Sequence, residues 1–168
     1  NIEVLNAYDV KKIVTACPHC FNTLKNEYPS LGGDYKVMHH TQFLKSLLDE
    51  GRLTIEGGKF KGKRITFHDP CYLGRANDVY EAPRELIKNL DAELVEMKNC
   101  RKKGLCCGAG GAQMFKDAEQ GDKEINIERT EQAMQVKPDI IAAGCPFCNT
   151  MMTDGVKNKA EGQIEVMD

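Results

Sequence analysis

The chain is 168 residues long, with 41% hydrophobic and 29% charged residues and a formal net charge of −2. That size and balance suit one compact unit or two small fused ones and exclude a disordered chain, while the lack of any basic excess argues against a nucleic-acid partner. No apolar run approaches the roughly 20 residues of a bilayer span, and Asn1-Ile2-Glu3-Val4 has neither the basic nor the apolar region of a signal peptide.

Taken in chain order, residues 12–16 and 35–38 are apolar, partly β-branched runs that predict strands, with a helix over 21–27 between them. Thr41 is expected to cap a helix over 43–50, whose Phe43, Leu44, Leu47 and Leu48 share one face. Residues 53–55 predict a short strand before the Gly57-Gly58 turn, and Lys61, Lys63 and Arg64 a solvated basic turn. A strand over 64–68 follows, then a helix over 84–90 with Pro83 at its first position and Leu86, Ile87 and Leu90 on one side. The remaining elements are a strand at 92–97, a helix at 124–135, a strand at 139–143, a helix at 149–157 and a strand at 162–167. Strands alternating with helices through short connections predict an α/β fold with a mostly parallel sheet flanked by helices.

The unusual feature is eight cysteines, about 5% of the chain, against the roughly 8–10% of a small disulfide scaffold. Cys17-Pro18-His19-Cys20 and Cys145-Pro146-Phe147-Cys148 are CxxC units, and Cys106-Cys107 are adjacent. With no export signal, a reduced cytoplasmic compartment and a metal or redox role outrank disulfides. The segments around the two CxxC units match at an offset of 145 − 17 = 128 residues, so 1–58 reads as the tail of one repeat and 59–168 as a nearly complete second one. On the predicted elements nearly every cysteine falls just past the C-terminal end of a strand. Loops there converge in one crevice in open α/β sheets, so distant cysteines are expected to meet.

The second repeat reads Cys71-x34-Cys106-Cys107-Gly108-x36-Cys145-x-x-Cys148. Five thiolates exceed the four of a tetrahedral zinc site, and soft, all-sulfur ligation suits an iron–sulfur cluster. Gly108, Gly110 and Gly111 let backbone N–H groups approach the sulfurs, Arg101, Lys102 and Lys103 are placed to offset thiolate charge, and His68 is a candidate hydrogen-bonding residue behind the ligands. Two alternatives stay open: a structural zinc module using four of the five cysteines, and a cluster-free thiol–disulfide oxidoreductase using one CxxC.

His68-Asp69-Pro70-Cys71-Tyr72-Leu73-Gly74-Arg75 and Leu105-Cys106-Cys107-Gly108-Ala109-Gly110-Gly111 resemble the two signature segments of the CCG (cysteine-rich) domain. That domain occurs in heterodisulfide reductase and in the iron–sulfur components of lactate, glycolate and glycerol-3-phosphate oxidoreductases. The resemblance implies Cys71, Cys106, Cys107, Cys145 and Cys148 as ligands of a 4Fe–4S cluster, non-cubane in heterodisulfide reductase, with zinc or an empty site as the alternatives in isolated material. It further implies an electron-transfer oxidoreductase component working with a flavin dehydrogenase or ferredoxin-like partner and a quinone or disulfide acceptor. Any membrane association would come through partner proteins or regions outside this sequence. Cys17 and Cys20 are left as two ligands of an incomplete site, since no upstream cysteine or CCG precedes them.

Blander roles are expected elsewhere. Cys100 stands outside the pattern as a free thiol, His39-His40 as surface or turn histidines, His19 as a packing residue and Met114, Met134, Met151 and Met152 as core filler. Gly108-Ala109-Gly110-Gly111 is not a dinucleotide loop, because Gln113 stands where GxGxxG needs its last glycine.

Overall fold

The computed structural model describes residues 1–117 and 120–168. Among the described residues, strands β1 (Lys12–Thr15) and β2 (Lys36–His39) form a two-stranded sheet. Strands β3 (Arg64–Phe67), β4 (Glu93–Leu94), β5 (Ile140–Ala142) and β6 (Glu165–Met167) form a four-stranded sheet in the order β4-β3-β5-β6. All pairings are parallel, as the strand–helix alternation requires. The helices are α1 (Ile2–Ala7), α2 (Pro18–Asn22), α3 (His40–Asp49), α4 (Glu81–Lys88), α5 (Ile125–Met134) and α6 (Pro146–Lys159).

Side chains alternate across the larger sheet and build a core on each face. Ile141 joins Met97, Ala133, Met152 and Val156 beneath α5 and α6. Ile65, Phe67 and Ile140 pack with Ile87 of α4 on the opposite face. Burying one such side chain contributes roughly 1.5–3 kcal/mol, which pins the register. Ile65 stands opposite Ile140 and Phe67 opposite Ala142. A third cluster, Cys107, Ala109, Ala143, Cys145 and Cys148, caps the C-terminal edge of the sheet.

Several element ends differ from expectation. Both helices after the CxxC units begin earlier, at Pro18 and Pro146, with Cys17 and Cys145 as N-caps. Proline has a helix-compatible φ and lacks an N–H that the first turn would leave unpaired. Pro83 is the third residue of α4, where its missing N–H is still one of the unpaired donors of the first turn. Residues 53–55 are not a strand, because Arg52 and Leu53 turn their N–H groups back to Leu47 O at 2.8 and 3.1 Å and close α3 instead. Strand β4 has two residues: Val95 N–H makes a last bond to Ile65 O, after which the chain dives so that Met97 enters the core. Arg64 is not merely solvated; it meets its cross-strand partner Glu93 with both carboxylate oxygens at 3.0 Å and donates to Lys137 O and Val136 O beyond α5.

The expectation for His39 is overturned. It is fully buried and, rather than Thr41, caps α3: its Nδ1 accepts from Thr41 N–H and Oγ1, while Gln42 Oε1 accepts from His39 N–H. Its Nε2 donates to Ala16 O at 3.2 Å, tying the end of β1 to the end of β2. A neutral imidazole has one donor and one acceptor, and both are used, so burial costs little.

Candidate metal centre

Three loops at the C-terminal ends of β3, β4 and β5 carry the second set of cysteines. The first is pinned on both sides. His68 N–H continues the ladder to Ala142 O at 2.8 Å, and Asp69 is gripped by Arg84 of α4 through two bonds of 2.7 and 3.0 Å. Arg84 also reaches Glu96 and Tyr80 O, and Asp69 accepts Arg101 N–H at 2.6 Å. Every polar group of this buried pair is matched, which a buried ion pair needs to hold its geometry. Cys71 is thereby set against the loop that carries Cys106 and Cys107.

The five thiols are free and lie near enough to one another to couple electrostatically in series, Cys71 with Cys106, Cys106 with Cys107, Cys107 with Cys148, and Cys148 with Cys145. Thiols held this close cannot all ionise alike. Cys106 is the strongest acid: bonds from Cys107 and Cys71, then Gly108 N–H at 3.4 Å, hold its thiolate well below the usual thiol range. Cys71 and Cys148 are pushed up by their thiol neighbours, and Cys107 rises to about 11 chiefly through its bond to Cys106. Cys145 falls to about 7, through Cys148 first and then through the Cys148 and Phe147 amides at the start of α6. A soft cation replacing these protons would relieve the crowding among the thiols.

His68 faces the same point. An imidazole nitrogen of His68 and the sulfurs of Cys107 and Cys148 all lie within 4.8 Å of one another. Arg129 of α5 donates its Nε–H to His68 Nδ1 at 3.1 Å. A guanidinium cannot accept, so Nδ1 is the acceptor and the ring proton sits on Nε2, which has no partner among the described residues. Burial, with the Arg129 charge, lowers this imidazole to about 3, so the ring is neutral, with Nδ1 held by Arg129 and the Nε2–H unpartnered among the described residues. His68 therefore carries an unpartnered Nε2–H near the thiols, and a Cys–Cys–His zinc site would have to break its bond to Arg129. Gly108, with φ +91, supplies the turn that brings its amide to Cys106. Gly110 has open space around it and φ below zero, so nothing local requires a glycine there.

Arg101 and Lys102 are turned to carboxylates rather than to the proposed ligand thiols. Arg101 pairs with Glu81, and Lys102 lies 3.5 Å from Asp78. The cation at the site is Arg129, which no motif in the sequence marks. Its one signal is the buried stripe Asn126, Arg129, Thr130 and Ala133 at helical spacing on α5, which carries polar residues where apolar ones are the rule.

The first CxxC lies alongside. Cys17 Sγ is 4.0 Å from His19 Nδ1, and Cys20 is exposed. His19 packs its ring 4.5 Å from Tyr72 and 5.2 Å from Phe147, joining this unit to the residues after Cys71 and Cys145. Cys100 caps the turn Arg101–Lys103 and belongs to none of these contacts.

A parallel α/β sheet with five cysteines on the loops at its C-terminal edge defines a cysteine-rich α/β domain. The family model "Cysteine-rich domain" (CCG) matches residues 1–25 and 65–153, and the chain belongs to that family. Over its whole length it is 48% identical to the probable iron-sulfur-binding oxidoreductase FadF of Bacillus subtilis and 43% identical to the EtfAB:quinone oxidoreductase of Syntrophomonas wolfei, in each case covering 24% of the relative. It is 33% identical to one polypeptide of the dihydromethanophenazine:CoB–CoM heterodisulfide reductase of Methanosarcina acetivorans, covering 41% of it. The chain thus spans about a quarter of the length of the first two relatives.

Proposed function

We propose that Cys71, Cys106, Cys107, Cys145 and Cys148 hold an iron–sulfur cluster of the 4Fe–4S type, and that this chain passes electrons within a larger oxidoreductase. The observation that carries the reading is the cluster of Cys107, Cys145 and Cys148 with Cys106 packed against it and Cys71 in electrostatic reach of Cys106 and Cys107, beside a buried arginine with no carboxylate of its own among the described residues. Relatives named as iron-sulfur and quinone oxidoreductases and as part of a heterodisulfide reductase support it. A bound cluster supplies the electron-accepting orbitals. The chain's residues do the rest. The five thiolates ligate, Gly108 N–H and His68 Nε2–H donate toward sulfur, and the shell of Met114, Phe147 and Met151 limits water.

Flavin-containing or ferredoxin-like redox partners and a quinone or disulfide acceptor follow from the same reading. No helix among the described residues is long and apolar enough to cross a membrane. One relative, 41% identical over 161 residues, is called a probable membrane-anchored ferredoxin of Chromohalobacter salexigens, which supports work near a membrane through other parts of such proteins. We further assign residues 1–58 and 59–168 to successive repeats, with Cys17 and Cys20 as two ligands of an incomplete second site.

Anaerobic reconstitution with iron and sulfide, followed by metal and acid-labile sulfide analysis and EPR, tests the reading. Stoichiometric iron and sulfide are expected, lost in Cys107→Ser and retained in Cys100→Ser. Uptake of zinc alone, or equal loss in both variants, would overturn it.

A further inference from the structure

Arg129 is placed as few arginines are. It is fully buried, and its charge has no carboxylate within ion-pair distance among the described residues. Its Nη1 donates to Asn99 O at 2.7 Å and Gln132 Oε1 at 3.0 Å, its Nε to His68, and its Nη2 is buried without a partner among the described residues. Asp69, which acts on its charge from farther away, is already held by Arg84. An uncompensated buried cation costs several kcal/mol unless an anion meets it. The thiols that also act on it are Cys100 and, beyond His68, Cys148 and Cys107; of these only Cys148 and Cys107 belong to the proposed ligand set.

We propose that Arg129 is a positioning residue for the cluster: it fixes His68 as an Nε2–H donor to the Cys107–Cys148 side, and its own charge raises the cluster's reduction potential. The inference rests on the iron–sulfur reading above. Each added electron adds negative charge at the thiolate site. A fixed positive charge in a low-dielectric wall favours the reduced form, and a hydrogen bond toward a ligand sulfur acts in the same direction. The bond from Arg129 leaves His68 no other tautomer. Without it the ring is free to turn or to place its proton on Nδ1, and the donor toward sulfur is lost.

The arrangement makes a prediction whose sign separates it from a packing role. In the metal-free protein Arg129 has no carboxylate within ion-pair distance among the described residues, so Arg129→Gln should melt close to the wild-type temperature. In the loaded protein the same variant should shift the reduced-to-oxidised ratio at fixed potential at least tenfold toward oxidised, ~59 mV for a one-electron couple. Arg129→Lys, which keeps the charge, should recover most of that shift. Potentiometric titration of the full chain followed by EPR reads the potential, and calorimetry of the metal-free chain reads the melting temperature. If Arg129→Gln yields no folded protein, His68→Phe carries the test, because it deletes the donor and leaves the charge; a lower potential is expected. The proposal is overturned if a folded, loaded variant, Arg129→Gln or His68→Phe, keeps the wild-type potential. Failure of the wild-type chain to take up iron and sulfide would instead sink the iron–sulfur reading itself.

Discussion

His39 and His68 are both buried imidazoles with their proton on Nε2, yet their surroundings give them different work. His39 spends both nitrogens on backbone and side-chain partners and locks α3 onto the end of β2. His68 spends one on Arg129 and turns the other toward the thiols. Burial, then the neighbouring His40, lowers His39 to about 4 from an ordinary 6.5. Between those values only the unfolded chain takes up the proton, so the stability of the metal-free protein rises with pH across that window and levels off above it. One such group contributes at most about 1.4 kcal/mol per pH unit. His39→Asn keeps a capping side chain and removes the titration, so urea unfolding from about pH 4.5 to 6.5 should show a shallower slope by up to that amount. An unchanged slope would place the pH dependence elsewhere.

Among the elements, the contact between α5 and α6 matters most, because it sets where Arg129 stands. Gly155 lies within α6, where glycine costs about 1 kcal/mol relative to alanine. A Cβ there would land on Thr130 Oγ1 and come within 3.0 Å of Asn126 O, the carbonyl to which Thr130 Oγ1 donates at 2.8 Å. Close approach therefore outweighs propensity. Gly155→Ala, a gain at an exposed helical glycine, should here lower stability by about 1–3 kcal/mol in chemical denaturation. A neutral or stabilising result would mean that the two helices have room to part. Arg84 shows the same coupling at the other end of the site, since it anchors the Cys71 loop from α4 through Asp69.

For the molecule as a whole, the site joins loops from three strands whose cysteines lie far apart in sequence, so occupancy should be felt across the sheet edge. Ligands that must lose protons and meet in one place couple metal binding to folding. Loading with iron and sulfide is expected to raise the melting temperature and to slow amide exchange over 69–74, 104–111 and 145–149. Removal by a chelator should reverse both, while exchange in β1 and α1, away from that edge, stays the same. Protection that changes equally everywhere would argue against a site confined to these loops.

The sequence by itself determined a great deal. Apolar, partly β-branched runs bounded by turn residues located the six strands of the described residues, because strand burial leaves a local pattern. The second CxxC unit and the double cysteine marked the thiols that pack together at the sheet edge, because their spacing set them on neighbouring loops. Element ends were less visible: the caps at His39, Cys17 and Cys145 depend on which side chain meets which amide. What only the tertiary structure decided are pairings between distant residues. His68 and Arg129 lie 61 positions apart, and no local pattern told that Arg129, rather than the basic run at Arg101–Lys103, is the cation beside the thiols. Charge on a sequence carries no address; burial against particular neighbours gives it one.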